Sequence, residues 1–146
     1  MRFKSTGKFN NKKLTTPDGV FDSKGEWQRW LFLKDAQIRG EIKDLQRQVK
    51  FVLLPTQYRD QTIHLKTKDK VVKRVAEREV TYTADFVYRK KAKTIENNLM
   101  GHVEVWETIV EDFKGFPNDR WPLKKAMMLY FHNIAIREVK KPTESI

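Results

Sequence analysis

Asp112-Phe113-Lys114 puts a carboxylate and an ammonium two positions apart. In an extended strand side chains alternate, so Asp112 and Lys114 point to one face and Phe113 to the other. Hydrolysis of a phosphodiester calls for this mix of groups. Carboxylate oxygens hold a hard divalent cation. The cation lowers the pKa of a bound water and neutralises charge on the reacting phosphate. An ammonium stabilises the same charge or orients the attacking hydroxide. A lone Asp-x-Lys equally describes an exposed ion pair. Asp85 adds weight, because it interrupts the apolar run Thr81-Tyr82-Thr83-Ala84-Asp85-Phe86-Val87-Tyr88 and Asp is disfavoured inside strands. Exposure on the second face would account for it, and so would a neighbouring acid sharing a cation. Glu26 is the third acid. Standing three residues after Ser23, it reads first as a capping-box partner, although a carboxylate with two oxygens can serve both roles.

The elements that must carry these residues follow from pattern. Residues 1–20 are polar and basic and read as a flexible arm, with a turn at Pro17-Asp18-Gly19. A helix is expected from the Ser23 cap to about Arg39, with Trp27, Trp30, Leu31, Lys34 and Ile38 on one face and Gly40 as its stop. Gln46 to Leu54 reads as a strand ended by Pro55. Thr62-Ile63-His64-Leu65 is expected to pair with Val71-Val72 around Lys68-Asp69-Lys70 as a hairpin. Glu79 to Arg89 is a strand with Val80, Tyr82, Ala84, Phe86 and Tyr88 on one face and Thr81, Thr83, Asp85 and Val87 on the other. Lys90 to Asn98 reads as a loop, and Val103 to Lys114 as a strand stopped by Gly115. Pro117-Asn118-Asp119 introduces a helix capped by Asn118 or Asp119, with Pro122 in its first turn and a stripe of Leu123, Ala126, Met127, Tyr130 and Phe131. Asn133 to Val139 is a last strand. The order, helix, three strands, helix, strand, calls for an α/β fold with a mixed central sheet in one domain, residues 21–146.

Composition narrows the partner. Lys and Arg number 30 against 19 Asp and Glu, a net charge of +11 over 146 residues, which favours a polyanion, nucleic acid first and an anionic membrane surface second. The absence of cysteine excludes a disulfide scaffold, a thiolate zinc site and a cysteine nucleophile. No apolar run is long enough to span a bilayer, and the basic start lacks the apolar region of a secretory signal, so a soluble cytoplasmic protein is expected. His64, His102 and His132 lack metal-ligand spacing. Lys124 and Lys125 are at hand for phosphate or for a solvated helix face. Trp27 and Trp30 are expected in the core.

The segments FDSKGEWQRW, LQRQVKF, YTADFVY and VEDFKG, in this order, resemble a family of small phage and prophage proteins. That family belongs to the PD-(D/E)xK nuclease superfamily, near the Holliday-junction resolvases. The resemblance covers roughly residues 20–139. It implies a restriction-endonuclease-like αβββαβ core and Mg²⁺- or Mn²⁺-dependent hydrolysis of DNA, branched DNA in particular, by a homodimer in the bacterial host cytoplasm. Carried over, Glu26 matches the acid of the first helix, Asp85 that of the second core strand, and Asp112 and Lys114 the acid and lysine of the third. Glu26, Asp85 and Asp112 are then the metal ligands, and Gln48, in Gln48-Val49-Lys50-Phe51, joins the catalytic set. Two departures stand out: Ala84 replaces the proline of the superfamily name, and the stretch between Tyr88 and Val103 is long. Glu111, beside Asp112, should face away from Lys114. The alternative is a non-catalytic nucleic-acid-binding protein that keeps the fold, against which the intact acid set argues.

Overall fold

The computed structural model describes residues 13–97, 101–113 and 119–146. Among them the chain forms β1 (Leu14–Thr16), β2 (Gly19–Phe21), α1 (Lys24–Ile38), β3 (Ile42–Leu54), β4 (Gln57–His64), β5 (Asp69–Glu77), β6 (Val80–Asn97), β7 (Gly101–Phe113), α2 (Trp121–His132) and β8 (Arg137–Val139). Four strands make the central sheet in the order β3-β6-β7-β8. The first three are antiparallel neighbours and β8 runs parallel to β7, with α2 as the crossover that a parallel pair requires. The expected α/β architecture with a mixed sheet is therefore present.

Adjacent residues of β7 belong to different cores, so the helices cover opposite faces of the sheet. Ile109 and Phe113 pack with Leu33 and Ala36 of α1, while Val110 packs with Trp121 and Met128 of α2. Strand β6 departs from the single apolar face read from its sequence. Tyr82 and Ala84 lie in the α2 core, but Phe86 and Tyr88 lie in the α1 core. The alternation thus slips at Asp85, opposite Gln48, whose φ is +53°. A non-glycine residue in that region is uncommon and strained by about 1–3 kcal/mol.

Helix α1 starts as expected: the Ser23 hydroxyl accepts from the Glu26 N–H at 3.1 Å. It ends in a Schellman arrangement around Gly40 at φ +75°, with Gly40 N–H donating to Gln37 O and Glu41 N–H to Ala36 O. Its buried face is a correction. Glu26, Arg29, Leu33 and Ala36 face the sheet, Trp27 and Trp30 flank it half-buried, and Ile38 is exposed. Arg29 tolerates this place because its guanidinium reaches Glu111 of β7 and the carbonyls of Pro142 and Glu144. Gly25 lets the first turn approach β7 closely: a Cβ there would lie 2.7 Å from the Phe113 ring.

Other expectations shift. Residues 14–20, assigned to the flexible arm, form with Phe21 the β1–β2 hairpin across the expected Pro17-Asp18 turn, and Arg47 donates to the carbonyls of Asp18 and Val20. Residues 1–12 lie outside the described residues. Strand β3 begins at Ile42 rather than Gln46. The stretch from Lys90, read as a loop, continues β6 to Asn97, because all but the bulged Ala92 pairs with β7 and needs no core to hold it. Arg120, not Asp119, is the cap of α2, and Asn118 lies outside the described residues. The apolar stripe of α2 is also displaced. Trp121 and Met128 are buried, whereas Leu123, Leu129, Tyr130 and Phe131 are exposed. Asn133 to Ile136 is not strand: Asn133 closes α2 at φ +53°, and β8 begins at Arg137. The hairpin expected near residues 62–72 is present and longer, as β4–β5, a separate two-stranded sheet inserted between β3 and β6.

Candidate active site

Four elements, α1, β3, β6 and β7, bring the candidate residues toward the centre of the sheet. Glu26 comes from the first turn of α1 and is 5% exposed. Its Oε2 accepts from the Asp22 N–H at 3.0 Å, one residue before the position a capping box would use. Its Oε1 accepts from Gln48 Nε2 of β3 at 3.4 Å. The same nitrogen donates to Asp85 Oδ1 of β6, also at 3.4 Å. Gln48 thus bridges two of the expected acids, from the strained rung where the strand alternation slips. The other oxygen of Asp85 accepts from the Phe113 N–H of β7 at 2.8 Å. That bond ties Asp85 to the residue next to Asp112.

Asp112 is 1% exposed and takes a hydrogen bond from the Tyr82 hydroxyl at 3.1 Å. Burial first, and then the Asp112 carboxylate, push the Tyr82 hydroxyl far above its ordinary range, so it stays protonated and donates. Tyr82 was legible only as an apolar strand residue; the alternation slip that turns it toward Asp112 has no signature in the residue types. Burial also raises the Glu26 carboxyl, helped by the Asp22 charge and opposed by the Asp22 N–H, Arg47 and Gln48.

The structure therefore joins Glu26, Gln48 and Asp85 directly, and links Asp85 through the backbone to the strand end that carries Asp112. Lys114 lies outside the described residues. The oxygen donors gathered here are carboxylates, which suit a hard divalent ion, while Gln48 turns its amide nitrogen toward two of them. Among the described residues, no three acidic or imidazole side chains converge closely enough to hold one ion.

The other candidates are accounted for elsewhere. Glu111 is buried against Arg29. Lys125 pairs with Glu138, which also accepts from the Trp121 indole. His64 pairs with Asp69 on the β4–β5 hairpin, and His132 with the carbonyl of Val52. No described helix is long and apolar enough to cross a membrane.

No curated protein and no solved structure matches the chain. A family model does, over residues 6–141, which takes in both helices, the whole sheet and every candidate residue. The chain belongs to the family described as Protein of unknown function (DUF1064).

Proposed function

We propose that this protein is a metal-dependent DNA endonuclease with a restriction-endonuclease-like core, acting on branched DNA. The observation that carries the reading is the Gln48 amide held between Glu26 and Asp85, with Asp85 braced on the backbone beside Asp112. Burying carboxylates this way costs stability unless a cation compensates them. Burial accordingly raises the Glu26 carboxyl. The order α1, β3, β6, β7, α2, β8 is also the αβββαβ order that the resemblance implies.

On this reading Glu26, Asp85 and Asp112 would have to draw closer together to hold Mg²⁺ or Mn²⁺. The ion would supply an activated water and charge neutralisation at the phosphate. Gln48 fixes the spacing of Glu26 and Asp85, Tyr82 orients Asp112, and Lys114 positions the nucleophile. The net charge of +11 holds the polyanionic substrate. Incubation with labelled linear, flapped and four-way DNA in Mg²⁺, in Mn²⁺ and in EDTA tests it. Cleavage in either metal and none in EDTA is expected; undiminished cleavage in EDTA contradicts it.

A further inference from the structure

The β4–β5 hairpin stands outside the central sheet and has two unlike faces. Directly paired residues share a face. On one face the charges are matched: Asp60 lies opposite Lys73, and His64 opposite Asp69. On the other, Arg59 lies opposite Arg74, and further along Lys70 lies opposite Ile63. All three cations are exposed, and none forms an ion pair among the described residues. Like charges facing each other across a ladder repel. Arg59, Gln61 and Arg74 also line a shallow hollow at this place, together with Asp60 and Glu77. A face whose cations oppose each other without an ion pair, while opposite charges face each other on its reverse, suits an external anion.

We infer that the β4–β5 ribbon is a duplex-DNA-binding arm that lies in the major groove and meets phosphates with Arg59, Lys70 and Arg74. The choice of DNA rests on the endonuclease reading; the charge pattern does not. The dimensions fit. At about 3.3 Å per residue the ribbon is roughly 25 Å long, and a major groove about 12 Å wide admits a two-stranded ribbon. Its root joins β3 after Leu54 and β6 before Val80, so it leaves the sheet six residues from Gln48 and five from Asp85. That is roughly 17–20 Å of strand, less than the roughly 34 Å of one duplex turn. Arg59 and Arg74 each lie eleven residues from Gln48 and Asp85 respectively, roughly 36 Å of extended strand, so these cations and the acid cluster are about one turn apart on the same duplex.

Fluorescence anisotropy of a labelled 25-base-pair duplex, in EDTA across a salt series, tests this. The variant Arg59→Ala/Lys70→Ala/Arg74→Ala is compared with Lys93→Ala/Lys140→Ala/Lys141→Ala, which removes the same charge from exposed positions elsewhere. Circular dichroism and thermal unfolding verify that both are folded. The ribbon variant is expected to lose about 10–100-fold in affinity, with a salt slope shallower by about two to three, and the control variant much less. Equal losses in the two variants overturn the proposal. So does ribbon-dependent binding of duplex RNA as tight as that of DNA, since the deep, narrow major groove of RNA excludes such a ribbon. Binding in EDTA needs no turnover, so the two readings fail separately. A wild type that binds through the ribbon but never cleaves in metal discards the endonuclease and keeps the arm. A wild type that cleaves while its ribbon variant binds like the control keeps the endonuclease and discards the arm.

Discussion

Glu26 has both carboxylate oxygens engaged, one by the Asp22 N–H and one by the Gln48 amide, yet burial still raises its pKa. The folded protein therefore holds this proton more tightly than the unfolded chain does. By linkage, the contribution of Glu26 to stability is greatest in acid, below the ordinary Glu range, and falls as pH rises through the raised folded value. Glu26→Gln should accordingly stabilise the metal-free protein at neutral pH, with the gain vanishing in acid. Thermal unfolding in EDTA across pH reads this; a pH-independent difference between the two proteins contradicts it. Asp85 is the hub of the cluster, accepting from β3 and from β7. Asp85→Asn should cut cleavage by about 100-fold or more, the scale on which loss of a preorganised charged group acts, and leave duplex affinity nearly unchanged because binding comes from dispersed Lys and Arg. A comparable loss of affinity would place Asp85 in binding instead.

The elements hold the cluster through close contact between α1 and β7. Gly25→Ala sets a methyl against the Phe113 ring and should cost about 1–3 kcal/mol by overpacking. It would appear as a lower urea midpoint at an unchanged slope; an unaltered midpoint would mean that the helix can lift from β7 without cost. The buried Arg29–Glu111 pair pins the same helix. Arg29→Met strands the Glu111 carboxylate and should cost about 3–5 kcal/mol, most of it recovered in Arg29→Met/Glu111→Met. A double variant as unstable as the single one would show that packing around Arg29, not its charge, matters. The sequence shows the start and stop of α1 because Ser23 and Gly40 act locally. It misplaces the buried face because the eye follows Trp27 and Trp30, while the sheet takes Glu26 and Arg29, whose partners come from β3, β7 and the C-terminal tail. For the same reason Asp85 and Glu26 were legible as unusual acids, but Tyr82 was not legible as a neighbour of Asp112. Lys90 to Asn97 is too polar to read as strand by composition, and it is strand only because β7 supplies its hydrogen bonds.

At the scale of the molecule, α2 leaves Leu123, Leu129, Tyr130 and Phe131 exposed, Tyr130 at 83%. The proposed action on four-way junctions needs two sites related by two-fold symmetry, and this face is where a second copy would be expected to meet the first. Light scattering should report twice the monomer mass, and Tyr130→Lys/Phe131→Lys should return a folded monomer. A wild-type monomer would leave single-strand incision and remove paired resolution. The central claim is tested most directly by single-turnover cleavage of an end-labelled four-way junction by the wild type and Asp112→Asn in Mg²⁺. Incision by the wild type and none by the variant is expected, with equal junction binding by both. Equal incision by both proteins, or binding without incision by the wild type, would contradict it.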